Sequence, residues 1–239
     1  MRAFTLLVLL VVNLTVNANK QAIDQLVYEI RNPQTEPSLF RRALEKIGEY
    51  LALNILEELS TKETTIRTLT DTEATHQLLD ETPVLVTILR AGLPLNAGVH
   101  KVFPKAEVGF LAMSRNEETL KAQLDYVALP CLKDRTVILA DTMLATGGSI
   151  LDAIQIVKQY EPRQIFIIAA IASEPGIRRL LDYDSTIKIF TAAVDPSLNH
   201  KGYIIPGLGD AGDRSYGKKH PAESLLKCSQ ETLPDKSDI

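Results

Sequence analysis

The sequence predicts an α/β fold in which a parallel sheet is covered by helices on both faces. Three observations carry that expectation. Val84 to Leu89, Thr136 to Ala140 and Gln164 to Ala172 are runs of strand length and largely apolar, without the alternation of a half-exposed sheet. Segments with helical periodicity lie between and around them, the pattern of βαβ units. The chain has 239 residues, 45% hydrophobic and 23% charged, enough to bury the core of one α/β domain with or without a small appendage.

The elements follow in order. Met1-Arg2, the apolar run Ala3 to Val12 and the small-residue stretch Val16-Asn17-Ala18 have the grammar of a secretory signal peptide. The competing reading makes Val11 to Val16 the first strand, behind an apolar extension of residues 1–10. Gln21 to Arg31 is a short amphipathic helix ended by Asn32-Pro33. Ser38 is placed to cap a longer helix, whose Leu44, Ile47, Leu51, Ile55, Leu56 and Leu59 recur at helical spacing. Val84 to Leu89 is a strand, Glu107 to Met113 another, Asn116 to Lys121 a polar loop and Tyr126 to Leu129 a short strand. Three clearer units come next: strand Thr136 to Ala140, helix Ser149 to Tyr160 and strand Gln164 to Ala172. A short helix after Pro175-Gly176 and a strand from Ile187 to Ala192 complete the pattern. The polar tail, residues 218–239, carries no apolar periodicity and is expected to be loosely ordered.

Charge and composition exclude several functions. A net charge of -4 gives no general attraction to nucleic acid or to an anionic membrane, so any phosphate must be held locally. Outside the N-terminus, nothing approaches the roughly 20 apolar residues of a membrane span. Cys131 and Cys228 lack metal-ligand spacing and make no disulfide framework. His76, His100, His200 and His220 are too scattered for a zinc motif of near neighbours.

The chemistry is concentrated where strands end, which is where open α/β sheets bind ligands. One such end reads Val137-Ile-Leu-Ala-Asp141-Thr-Met-Leu-Ala-Thr146-Gly147-Gly148-Ser149. An acid sits at the tip of a buried strand, and a small Thr-Gly-Gly-Ser turn opens the next helix. Glycines let the backbone approach an anion, and amide N–H groups at the helix N-terminus then point at it. The run lacks the lysine of a P-loop and the G-x-G-x-x-G of a dinucleotide site. By itself it reads equally well as a tight turn with Ser149 as helix cap. The other unusual end is Ile88-Leu89-Arg90-Ala91-Gly92.

These segments resemble the type I phosphoribosyltransferases. Asp141 followed by Ala-Thr-Gly-Gly-Ser looks like their signature for 5-phosphoribosyl-1-pyrophosphate (PRPP), and D-x-M-L-A-T-G-G-S is similar to the uracil phosphoribosyltransferase form. Three further segments agree in family order: Ile88 to Leu93, Arg115-Asn116-Glu117-Glu118-Thr119, and Gly202-Tyr-Ile-Ile-Pro-Gly-Leu-Gly-Asp-Ala-Gly-Asp213. The resemblance covers roughly residues 11–217. It implies a parallel sheet flanked by helices with a small hood for the base, and transfer of ribose phosphate from PRPP to uracil to give UMP.

It also implies roles residue by residue. Asp141 resembles the acid that meets the ribose hydroxyls. Thr142, Met143 and Leu144, together with Ala145, Thr146, Gly147, Gly148 and Ser149, resemble the stretch that binds PRPP, the last five its 5-phosphate loop. Arg90 and Arg115 resemble the arginines at the pyrophosphate, Arg115 on a loop that closes. Ile204, Gly209, Asp210 and Ala211 resemble the uracil pocket, and Asp210 also the contact to PRPP and its Mg²⁺. The cofactor implied is Mg²⁺, carried mainly on PRPP oxygens with no direct protein ligand required beyond Asp210. Departures are Thr142 where the family usually has proline, Ser114 where tyrosine is common, and Leu53-Asn54 in place of a Tyr-Glu pair.

Each residue has an ordinary reading beside the functional one. Arg90 alone would be a surface arginine, Arg115 part of a solvated charged loop, and Asp210 and Asp213 turn residues around Gly212. Two rival functions stand beside this one. A phosphoribosyltransferase for another base fits poorly with the Tyr-Ile-Ile-Pro-Gly-Leu-Gly-Asp run. A non-catalytic regulator binding uridine nucleotide and RNA would need a basic face with aromatics, whereas aromatics are 5% and tryptophan is absent. The expected partners are PRPP and uracil, with no nucleic acid and no membrane. A homo-oligomer and a GTP effector are brought in by the resemblance alone. Because PRPP and uracil are cytosolic and Val11 to Val16 aligns with the family's first strand, residues 11–18 are expected to be retained in a cytoplasmic protein.

Overall fold

Residues 21–115 and 122–219 are described by the computed structural model of this chain. The expected strand at Val11 to Val16, the 116–121 loop and the tail beyond residue 219 lie outside them.

Helix α1 (residues 21–31) ends as Pro33 requires. Helix α2 (Pro37–Leu56) begins one residue before Ser38. Pro37 occupies the first turn after Glu36, with no side-chain cap, so Ser38 is not the cap that the sequence suggests. Proline suits that turn because the N–H it lacks would have no helical partner. Phe40, Leu44, Ile47, Leu51 and Ile55 form the buried stripe, while Leu59 lies beyond the helix end. Leu53 and Asn54 are exposed on the opposite face.

Strands β1 (Thr61–Arg67) and β2 (Glu73–Leu79) form an antiparallel hairpin that the sequence reading missed. Its residues are almost all exposed, with Ile66, Leu69 and Leu78 open to solvent. A threonine-rich ribbon without a buried face offers no apolar alternation to detect.

The central sheet contains β3 (Val84–Leu89), β4 (Val108–Arg115), β5 (Ala122–Ala128), β6 (Thr136–Leu144), β7 (Gln164–Ser173) and β8 (Lys188–Asp195). Its order is β5-β4-β3-β6-β7-β8, all parallel except β5, which pairs antiparallel with β4. The short strand expected at Tyr126 to Leu129 is therefore β5, longer and antiparallel. A connection of a few residues can join only antiparallel neighbours.

Both faces of the sheet are apolar because both are covered. On one face Leu85, Ile138, Ala140, Phe166 and Ile168 pack with α2 and with Leu95 and Val99 of α3 (Leu93–Val102). On the other, Val84, Val137, Leu139, Ile165 and Ile167 pack with Ile150, Ala153, Ile154 and Val157 of α4 (Gly148–Lys158), and Leu180 of α5 (Glu174–Tyr183) joins them. Helix α5 starts before Pro175-Gly176, capped by Ser173, whose Oγ accepts from the Gly176 N–H at 2.9 Å. Among the described residues, no helix is long and apolar enough to cross a membrane.

The topology fixes where a ligand can sit. From β3 the chain crosses through α3 to β4 on one side, and after the β4–β5 hairpin it returns to β6 on the other. The order reverses between β3 and β6, which leaves a crevice at the carboxyl ends of those two strands. Over it lie the two-residue strands β9 (Ser197–Leu198) and β10 (Ile204–Ile205), followed by α6 (Ala211–Tyr216).

Candidate active site

Strand alternation decides what the tip of β6 presents. Asp141, Met143 and Ala145 line the crevice, followed by Ser149 on the first turn of α4. Thr142 and Leu144 are fully buried, Leu144 in the core beneath α4. The turn between strand and helix depends on Gly147, the N-cap of α4, held at φ 76° in the left-handed region that side chains avoid. Helix α4 starts at Gly148, so Ser149 is not its cap and is left to face the crevice.

The outer side of this turn is tied to α5. Ser173 Oγ donates to the Ala145 carbonyl at 2.6 Å, and Arg179 Nη1 donates to the Thr146 carbonyl at 3.2 Å. Thr146 Oγ1 accepts from the Gly148 N–H at 3.3 Å. The first N–H groups of a helix lack helical partners, so the start of α4 beside the crevice is suited to receive an anion.

Asp141 is half-buried. Burial pushes its carboxyl up to about 7, while N–H groups of Thr142 and Met143 pull the other way. The Thr142 N–H donates to Asp141 Oδ1 at 2.7 Å. Across the crevice, Arg90 follows a cis Leu89–Arg90 peptide, and its Nη2 donates to Asp213 Oδ1 at 3.1 Å. Asp210 caps α6, accepting from the Asp213 N–H at 2.8 Å. Asp213 is thus a turn residue, as its ordinary reading holds, and also the partner of Arg90.

Three arginines hold the hood. Arg31 makes a two-pronged contact with Asp195 (2.9 and 2.6 Å) and donates to the Gly207 carbonyl at 2.8 Å. Asp195 also accepts from the Gly207 N–H at 2.9 Å. Gly207 lies at φ 59°, where a Cβ would come within 2.2 Å of the Ile204 carbonyl oxygen. Arg214 donates to the carbonyls of Ile30, Leu208 (2.9 Å) and Asn32 (2.6 Å) and stacks over Phe40. Burial lowers the Arg214 pKa, but the carbonyls around it favour the cation. Arg41 donates to the Ser215 carbonyl at 2.6 Å.

Thus Arg90, Asp141, Met143, Ala145, Ser149, Ile204, Gly209, Asp210 and Ala211 converge on one cavity of about 210 Å³. Thr146, Gly147 and Gly148 form the turn behind Ser149 rather than the cavity wall. Arg115 ends β4 with its main chain paired to Ala122, on the same edge of the sheet. The cavity also takes in Met113, Gly202, Tyr203, Gly212 and Lys219, which the sequence reading did not single out. Gly202, Tyr203 and Gly212 belong to the Gly202-to-Asp213 run. Lys219 falls in the polar tail, where nothing local marks it. Asp141 and Asp210 are the carboxylates on the cavity wall. Among the described residues, no group of three or more His, Cys, Asp or Glu could hold a metal ion.

A helix-covered parallel sheet, with an acid and a glycine turn at its switch point beneath a small hood, defines a type I phosphoribosyltransferase fold. The family model for uracil phosphoribosyltransferase matches residues 16–218, and the chain belongs to that family. Among curated relatives, the uracil phosphoribosyltransferase of Thermococcus kodakarensis is 38% identical over 200 residues, covering 82% of this chain and 87% of that protein. The one from Clostridium botulinum is 40% identical over 191 residues, covering 80% and 91%. The solved structure of the AQ2163 protein from Aquifex aeolicus superposes with a TM-score of 0.77 at 37% identity, over 83% of this chain and 96% of that one.

Proposed function

We propose that this chain transfers the 5-phosphoribosyl group of PRPP to uracil, giving UMP and pyrophosphate, with the crevice between β3 and β6 as the active site. The observation that carries the assignment is the convergence of Arg90, Asp141, Ala145 and Ser149 at the two ends of the glycine turn, and the hood run on one cavity. These four chain segments meet the chemical needs of one substrate pair.

The bond from ribose C1 to the pyrophosphate oxygen breaks, a bond from C1 to uracil N1 forms, and the uracil N1 proton is lost. Positive charge develops on the sugar and negative charge on the leaving group. The amides at the start of α4, with Ser149, hold the 5-phosphate. Asp141 takes the ribose hydroxyls and stands near the developing positive charge, which draws its carboxyl to the ionised form. Arg90 stabilises the departing pyrophosphate, and Arg115, at the end of β4, acts on the same group. Backbone groups at Ile204 and Gly209 to Ala211 read the base edge. Asp141 and Asp210, two hard oxygen donors on the wall, suit a Mg²⁺ that keeps most of its contacts with substrate and water. Mg²⁺ so bound supplies charge neutralisation at the pyrophosphate. Cytoplasmic residence follows from where these substrates are found, while a homo-oligomer and a GTP effector rest on the family resemblance alone.

Incubation with PRPP, Mg²⁺ and each nucleobase in turn tests the reading by pyrophosphate release. Uracil is expected to be strongly preferred. Turnover of adenine or hypoxanthine with none of uracil would overturn it, as would nucleotide binding with no turnover at all.

A further inference from the structure

The β3–β6 ladder ends at the pair Thr87 and Ala140. Beyond it β3 turns away at Arg90 while β6 runs on to Leu144, so the ladder cannot hold the Arg90 loop against the Asp141 strand. A side chain spans the gap. Thr142, with no exposed surface, donates its Oγ1 hydrogen to the Ala91 carbonyl at 2.6 Å. Its own N–H donates to Asp141 Oδ1. A single buried residue therefore touches the acid on one wall and the residue beside the arginine on the other.

We infer that Thr142 is a positioning residue that sets the Arg90 loop relative to Asp141, and so governs how the enzyme grips pyrophosphate and PRPP. The inference rests on the proposed function and extends it to a residue whose side chain does not reach substrate. The loop is also tied to the hood through Arg90 itself, held by Asp213. Loss of the hydroxyl takes that donor from the part-buried Ala91 carbonyl beside the cavity, and the loop then shifts to find another partner for it. The Arg90 guanidinium moves with it, while the base pocket, built from the hood and anchored by Arg31 and Arg214, does not.

The test compares Thr142→Val, which keeps the shape and deletes the hydroxyl, with Thr142→Ser, which keeps the hydroxyl. Steady-state kinetics with both substrates and equilibrium binding of pyrophosphate are the readouts. Thr142→Val should raise KM for PRPP and Kd for pyrophosphate by about tenfold, with KM for uracil changed less than about twofold. Thr142→Ser should recover most of that loss. In an Arg90→Ala background, Thr142→Val should add little, since the group it positions is gone. Unaltered PRPP and pyrophosphate constants in Thr142→Val, with only a lower Tm, would overturn the inference; so would additive effects with Arg90→Ala. Should the valine variant not fold, Thr142→Ala removes the same hydroxyl without a new methyl group. Wild-type protein that binds pyrophosphate but does not use uracil would count against the proposed function, and the Thr142 comparison would still be read from pyrophosphate binding.

Discussion

The floor of the crevice and the hood above it rest on different balances of apolar packing and polar contact. The floor is one continuous stretch, Thr136 to Lys158, in which a buried strand, a glycine turn and a helix follow each other directly. Its position comes from apolar packing on both faces of the sheet. The hood from Asp195 to Tyr216 has two-residue strands and a six-residue helix. It is anchored by arginines more than 160 positions away in the chain, Arg31 to Asp195 and Gly207 and Arg41 to Ser215, and by Arg214 reaching back to Ile30 and Asn32. A floor built this way tolerates a charge change at its surface without unfolding. The hood packs Ile204, Leu208 and Ala211 into the same core but also leans on these few polar contacts, so a charge change there should cost stability.

The largest effect that separates the two should come from Asp141→Asn. Removal of a charged transition-state contact should lower kcat/KM for PRPP by 30-fold or more, about 2–4 kcal/mol. Thermal stability at pH 8 should be no lower than wild type, because the floor's packing is unchanged. Steady-state kinetics and a melting curve on the same preparation check both halves, and an unaltered rate would make Asp141 a mere turn residue.

In the hood the balance should reverse. Asp195→Asn takes the charge from a buried carboxylate that holds Arg31 and the Gly207 N–H. Stability should fall by about 2 kcal/mol, since Arg31 is left without its charged partner. KM for uracil should rise more than KM for PRPP as the base pocket loosens. Denaturant melts with the two KM values decide it; a variant as stable as wild type would show that the arginine contacts do not hold the hood.

The smallest effect concerns pH. The folded Asp141 carboxyl holds its proton up to about pH 7, whereas its ordinary value is 3.8. At low pH this group is protonated in both the folded and unfolded states and carries no ionisation penalty, and that advantage is lost as pH rises through 7. Between about pH 4 and pH 8 the unliganded wild type should lose about 1–2 kcal/mol relative to Asp141→Asn, part of the full shift because the carboxyl is not wholly enclosed. Parallel Tm profiles for the two proteins across that range would contradict it.

The floor was legible because its signals are local. Apolar runs at Val84, Thr136 and Gln164, and Asp141 followed by Thr-Gly-Gly-Ser, place strand, acid and turn without any distant contact. Even there, alternation hid a detail: Thr142 and Leu144 stand in the motif, yet their side chains leave the crevice. The hood was legible as the Gly202-to-Asp213 run, but not by its supports. Arg31, Arg41 and Asp195 carry no motif, and nothing near Lys219 tells that it reaches the cavity.

By itself, then, the sequence determined the fold class, the strands of the central sheet and the residues at their tips, because each rests on periodicity or turn chemistry within a few neighbouring residues. Tertiary structure alone decided that the sheet reverses its order between β3 and β6, that β1 and β2 pair as an exposed hairpin, that Thr142 bonds Ala91, and that three arginines fasten the hood. Those features depend on which distant backbone carbonyls and carboxylates arrive beside a given side chain, and that is settled only when the buried faces of the sheet have found their helices.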